Sequence, residues 1–135
     1  MTIFSEDRKV YADIGNYSYW NCFYSTIVVK LKKLKKEILQ ALSFLENVEC
    51  KPIDCIETAR QLNLIRDNLS KISPKELVYD LNDLSKRPPW EGNISPVVTS
   101  CGNFFTTADG KDLIYELNVV LCYCAINDMS VTCEE

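Results

Sequence analysis

The residues of this chain that come nearest to a catalytic set are five carboxylates: Asp80, Asp83, Glu91, Asp109 and Asp112. Hard oxygen ligands of this kind hold divalent cations, and a bound cation can activate water for hydrolysis. Their spacing fits no recognised metal loop, and the sequence has no histidine to complete a site or to act as a general base. Each also has a structural reading. Asp80 and Asp83 close an apolar stretch, while Asp109 and Asp112 stand where a helix should start. A small carboxylate-dependent metal enzyme is thus an alternative to a binding protein, but no metal or cofactor is expected.

Thiol chemistry meets the same obstacle. Cys101 stands next to Gly102, yet a thiol nucleophile needs a base or a lowered pKa, and no histidine is present to supply the first. The seven cysteines are odd in number and include no CxxC pair. Cys50 and Cys55 are separated by four residues that include Pro52, and Cys122 and Cys124 point to different faces of a predicted helix. Buried thiols in a reducing compartment are expected throughout. Gly92, Gly102 and Gly110 lack the lysine-serine pair of a phosphate-cradling loop.

What the stretch 87–112, RPPWEGNISPVVTSCGNFFTTADGKD, does provide is shape. Pro88 and Pro89 fix two φ angles and push their predecessors toward extended backbone, so Trp90 is held on a stiff turn that Gly92 releases. Trp90 either plugs the core from this loop or anchors an interface, as exposed tryptophans often do.

Fifteen basic and nineteen acidic residues give a net charge of −4, which disfavours nucleic acid or an anionic membrane and suits a basic protein partner. The charge is uneven. KLKKLKK at residues 30–36 carries five positive charges, whereas from Thr106 onward one lysine faces six carboxylates. The N-terminal MTIFSEDRKVY lacks a signal-peptide core, and no apolar run approaches the ~20 residues needed to span a bilayer, so a cytosolic protein is expected.

The elements that must position these residues follow from periodicity. Val10, Ala12 and Ile14 alternate, predicting a strand over 9–14 that ends at the Gly15-Asn16 turn. Tyr17, Tyr19, Trp20, Phe23 and Tyr24 crowd the next segment, where core packing is a better reading than base stacking for an acidic chain. The β-branched run 26–31 predicts a second strand, paired with the first as a hairpin.

Leu34, Ile38, Ala41, Leu42 and Leu45 recur at helical spacing, which places Lys32, Lys33, Lys35 and Lys36 on the solvent side of the first turns. Cations there oppose the helix dipole. They form either a plain solvated face or a surface for an acidic patch. Asp54 and Glu57 resemble a capping box before the stripe Ile56, Ala59, Leu62, Ile65, Leu69 and Ile72, which stops at Ser73-Pro74. A short strand over 77–81 precedes the loop. A helix over about 111–127, capped by Asp109, buries Leu113, Leu117, Val120, Leu121 and Cys124, and residues 131–133 add a last strand. The expected fold is a single α+β domain over 1–135, with about three helices packed on a small, largely antiparallel sheet.

Motifs spread along the chain resemble the immunity protein 70 family of bacteria, whose members accompany polymorphic toxins. They are PPWEG, the run S-x-x-x-x-S-C-G-N-F-F-T-T-A-D-G-K-D-L from Ser95, CFYSTIVVKL from Cys22, ARQLNLIRDNL from Ala59 and ELVYD from Glu76. Two positions depart from the family pattern: Glu91 stands between Trp90 and Gly92, and Tyr79 occupies a place where tryptophan is usual.

The resemblance implies a cytosolic, non-catalytic inhibitor. It would bind the toxic C-terminal domain of a cognate contact-delivered or LXG-like toxin and cover its active site or a nearby surface. If that toxin is a nuclease, its groove should be basic, and the acidic second half of this chain would steer association. The candidate contact residues are Asp83, Trp90, Glu91 and Asp112. No nucleic acid, membrane or small-molecule substrate is expected as a partner. A non-catalytic adaptor for an endogenous complex is the other alternative.

Overall fold

Four residues at the start of the chain, Thr2–Ser5, form the central strand β1 of the computed structural model, which describes residues 1–135. Strand β2, Tyr11–Asp13, pairs with β1 in antiparallel register, Ile3 opposite Ala12. The C-terminal strand β3, Val131–Glu134, pairs with the other edge of β1, Ile3 opposite Cys133, so the order is β2-β1-β3. Ile3 is fully buried at the centre. A strand this short carries too little alternation to be recognised in the sequence, and its position is fixed by its two neighbours.

The hairpin expected between 9–14 and 26–31 does not form. Residues 26–30 instead continue helix α1, Tyr17–Lys30, with Leu31 as its C-cap; the start is capped by the Asn16 side chain accepting the Ser18 N–H at 2.7 Å. Trp20, Phe23 and Ile27, with Leu31 just beyond, lie on the buried face at helical spacing. Five β-branched or apolar residues around Lys30 satisfy period 2 and period 3.6 almost equally, and here packing decides in favour of the helix.

After α1 the chain tightens into a 3-10 segment, Lys32–Ile38, and then resumes as α2, Leu39–Asn47. The expected single helix from residue 32 is therefore two pieces. Gln61, from the helix that follows, supplies what α2 lacks at its first turn: its Oε1 accepts the buried Ala41 N–H at 2.8 Å.

Helix α3, Cys55–Leu69, follows a 3-10 turn, Pro52–Asp54. That turn already puts Asp54 in helical backbone (φ −96, ψ −7), so its side chain makes no capping bond and the expected capping box is absent. Glu57 instead bonds Arg60 and Gln61. The stripe Ala59, Leu62, Ile65 and Leu69 is buried as expected, but Ile56 is 57% exposed. Helix α4, Leu113–Ile126, buries all five expected positions. It runs antiparallel to α3, joined by the Arg66–Asp112 ion pair at 2.6 Å and an Asn118–Asn63 bond at 2.7 Å. Four α-helices, not three, thus cover the small antiparallel sheet. No helix is long and apolar enough to cross a membrane.

No strand forms at 77–81. The backbone there is bonded by α1 hydroxyls: Thr26 Oγ1 accepts the Val78 N–H at 3.0 Å and donates to its carbonyl at 3.2 Å, and Ser25 Oγ accepts the Leu81 N–H at 3.1 Å. Two hydroxyls on a helix thereby take the place of a neighbouring strand.

Candidate functional site

The irregular segment 77–112 is anchored on α1 by aromatic packing. Trp90, half-buried, meets Tyr79 edge-on at 5.6 Å, Tyr19 at 5.9 Å and Phe104 at 5.9 Å between ring centroids. Tyr19 also holds the far end of the loop: its hydroxyl donates to the Phe104 carbonyl at 3.2 Å and accepts the Thr106 N–H at 2.8 Å. Burial pushes the Tyr19 phenol above its usual range, which keeps it protonated for this double role. Phe105 joins the cluster to the core through Phe23 at 4.9 Å. Trp90 therefore plugs the loop onto the domain, with Tyr79 as one of its walls.

The two tryptophans differ in one respect. The Trp20 indole N–H donates to the Leu45 carbonyl at 3.0 Å, whereas the buried Trp90 Nε1 has no acceptor in the protein.

Immediately after Trp90 the chain turns outward. The Glu91 N–H donates to the Pro88 carbonyl at 3.0 Å, the Asn93 N–H donates to the Trp90 carbonyl at 2.9 Å, and Gly92 takes φ +84, a conformation that side chains resist. Glu91 lies exposed on this turn, where its Oε1 accepts Arg87 Nε at 3.0 Å and Nη2 at 2.7 Å. The Arg87 guanidinium holds the Glu91 carboxyl below its usual range. Together with Pro74, Leu77, Pro88 and Ile94 they line a surface groove of about 410 Å3.

The remaining carboxylates serve separate local duties. Asp83 accepts the Ser85 N–H at 3.1 Å and its hydroxyl, and these bonds lower its pKa. Asp80 accepts the Asn82 N–H and faces Lys86 at 3.6 Å. Asp112, not Asp109, caps α4 by accepting the Tyr115 N–H at 3.1 Å while it pairs with Arg66. Asp109 is bonded by the Thr107 hydroxyl in the preceding turn, which lowers its pKa. The five do not converge: no group of three or more Cys, Asp or Glu side chains is placed to share a metal ion. Of the four candidate contact residues, only Trp90 and Glu91 share one turn.

The cysteines are free thiols. Burial pushes Cys22 up to about 12, and Cys101 and Cys124 up to about 11, while the Cys50 sulfur beside it and burial together raise Cys55. Cys101 is fully buried and its Sγ donates to the Ser73 carbonyl at 3.3 Å, so it is held as a structural thiol. Its neighbour Gly102 explains the motif differently. A Cβ there would lie 2.9 Å from the Ser70 Cα, so only glycine lets the loop close on the end of α3.

One feature escaped the pattern of apolar spacing. Helices α1 and α2, with the 3-10 segment between them, enclose a groove of about 430 Å3 lined by Tyr24, Ile27, Val28, Leu31, Leu39 and Leu42, with Lys32 and Lys35 at its rim. The helical spacing of Leu34, Leu42 and Leu45 signals an apolar face but not that part of it stays open.

The loop whose sequence carries the PPWEG and SCGNFFTTADGKD motifs is thus the part of the fold with the most specific side-chain requirements. The chain matches the model of a family described as immunity protein 70 over residues 4–132, which takes in β2, all four helices and the whole of this loop. No curated protein and no solved structure matches it. Because that match spans nearly the whole chain, from the central strand to the last, this chain belongs to the immunity protein 70 family.

Proposed function

We propose that this protein binds the toxic C-terminal domain of its cognate polymorphic toxin in the cytosol of the producing cell, and neutralises it by covering the active site or an adjoining surface. Membership of the family makes it an immunity protein against a polymorphic toxin, and this match over residues 4–132 is the observation that carries the reading. The contact surface we assign is the turn around Trp90, with Glu91 exposed on it and Asp83 and Asp112 as further acidic contacts. An inhibitor of this kind needs no bond-making chemistry. It needs a surface that does not rearrange, and the packing of Trp90 against Tyr19, Tyr79 and Phe104 favours one.

A nuclease domain delivered by contact or by an LXG-like route fits the overall charge of −4, because a basic catalytic groove would be drawn to an acidic inhibitor. Glu91 and Asp112 are each held by an arginine on this chain and would exchange that partner for a cation of the toxin. The test is co-expression with the toxin domain encoded beside this gene. Survival of the host and co-purification of the two chains are expected. Death of the host despite soluble, folded protein would remove the reading.

A further inference from the structure

We infer that the groove between α1 and α2 is a docking site for an acidic, amphipathic helical segment of the toxin domain. This rests on the proposed immunity function and assigns a second contact surface to it. The floor and walls are apolar: Tyr24, Ile27, Val28 and Leu31 from the α1 side, and Leu39 and Leu42 from the α2 side. Leu39 is 55% exposed. From Tyr24 to Leu31 the α1 wall runs for about 10 Å, or roughly two helical turns, at 1.5 Å per residue. That length accepts the apolar side chains of one short helix at i, i+3 or i+4, and i+7.

Charge determines the kind of helix. Lys32 and Lys35 stand at the rim and Lys33 and Lys36 are exposed beside them, and none of the four is among the residues that form ion pairs on this chain. Glu91, Asp109 and Asp112, by contrast, are each paired with a neighbouring cation. The free lysines also precede α2, where positive charge works against the helix dipole. Glu37 is the one carboxylate in their 3-10 segment and forms no ion pair with them, so four positive charges are left for the carboxylates of a docked helix. Glu46 lines the same groove from α2, so an acidic helix would keep its charges toward the lysine side. A concave cleft with a carboxylate in its lining suits a protein ridge better than a flat bilayer. The groove and the Trp90 loop flank α1 from different sides, since Ser25 and Thr26 hold the loop while Tyr24, Val28 and Leu31 face the groove.

The experiment measures calorimetric affinity for the neighbouring toxin domain with the full chain, the charge reversal K32E/K33E/K35E/K36E, and Leu39→Asp. Both variants change exposed positions, and thermal melts verify that they fold. We expect each to weaken binding by about ten-fold or more, and the loss in the lysine variant to be larger at low salt than at high salt. Wild-type affinity in both folded variants overturns the docking site and leaves the immunity function standing. Failure of the natural chain to bind the toxin domain overturns both. Lysine-dependent binding to phosphatidylglycerol vesicles, with toxin affinity unaltered, would identify a membrane contact and overturn the proposal.

Discussion

Tyr19 and Trp90 meet ring edge to ring face at 5.9 Å, and the same tyrosine holds the Phe104 carbonyl and the Thr106 N–H through its hydroxyl. One residue of α1 therefore ties down both the middle and the far end of the loop. Tyr19→Phe keeps the ring but leaves those backbone groups without a partner, so a loss of about 1–2 kcal/mol is expected. Hydrogen exchange at the Thr106 amide should accelerate more than exchange in α4. Equal acceleration everywhere would mean that the hydroxyl does not hold the loop locally.

Trp90 can be dissected in the same way. Trp90→Ala empties a half-buried site and is expected to cost about 2–3 kcal/mol, at or below the lower end of the range for core tryptophans. Trp90→Phe should cost less, because the indole N–H makes no bond within the protein that could be lost. Urea unfolding of the two variants checks the order. If phenylalanine proved as harmful as alanine, the indole N–H would have an acceptor after all.

Gln61 joins α2 to α3 through one side chain. Its Oε1 accepts the Ala41 N–H and its Nε2 donates to Glu57 at 3.0 Å. Gln61→Leu preserves volume but strands a buried N–H in the first turn of α2, which should cost about 1–3 kcal/mol. Gln61→Glu retains an acceptor and should be milder above the carboxylate pKa, apart from its repulsion with Glu57. Denaturant midpoints of the two variants near neutral pH provide the comparison.

Gly102→Ala tests the contact between loop and α3. The added carbon would meet Ser70 backbone atoms at 2.9 and 3.0 Å, and backbone cannot turn aside as a long side chain can. A loss of about 1–3 kcal/mol is expected, with weaker protection of the Cys101 amide, which bonds the Ile72 carbonyl at 2.8 Å. A neutral effect on the melting temperature would show that the loop can lift away without cost.

The hydroxyl of Tyr123 on α4 donates to Asp7 Oδ2 at 2.6 Å, joining the β1–β2 turn to the last helix. That bond lowers the Asp7 pKa below its ordinary 3.8 and raises the Tyr123 pKa above its ordinary 10. The two signs define a window. The Asp7 contribution is present above pH 3.8 and disappears as pH falls through its lowered value. The Tyr123 contribution is present below pH 10 and disappears as pH rises through its raised value. Tyr123→Phe should therefore be less stable than the natural chain between these limits and approach it outside them. Urea midpoints in acidic, neutral and strongly alkaline buffer reveal the trend. A difference independent of pH would exclude the bond.

Glu91→Lys reverses the one charge within the turn 88–93 and replaces an ion pair with Arg87 by a repulsion. An exposed pair of this kind is screened by water and adds little to stability, so the melting temperature should barely move. Affinity for the toxin domain should fall by about ten-fold, mostly at low salt. Unchanged affinity would remove Glu91 from the interface.

Much of this architecture is legible in the sequence. The stripes of α3 and α4 follow a 3.6-residue period over several turns, long enough to exclude a strand, and their apolar residues are buried apart from Ile56, which is exposed, and Ile72, which lies beyond the end of α3 and is half-buried. The last strand and the solvent-facing lysines were equally legible. Residues 26–31 were not, because β-branched side chains there favour a strand locally while Trp20 and Phe23 commit the preceding turns to a helix. At the candidate site, the rigidity of the Trp90 turn was written in its prolines and glycine. That Glu91 pairs with Arg87 four residues earlier, and Asp112 with Arg66 on another helix, was not.

Sequence by itself determined the α+β class, two of the four helices, the absence of histidine chemistry, and a loop whose motifs mark the family. Those properties depend on composition and on periodicity within one segment. Tertiary structure alone decided that the first strand lies between the other two, that Ser25 and Thr26 turn their hydroxyls to a loop more than fifty residues away, and that α1 and α2 leave a groove between them. Such outcomes depend on which distant groups satisfy each hydrogen bond and fill each space. A local pattern holds no information about partners brought together only when the chain closes.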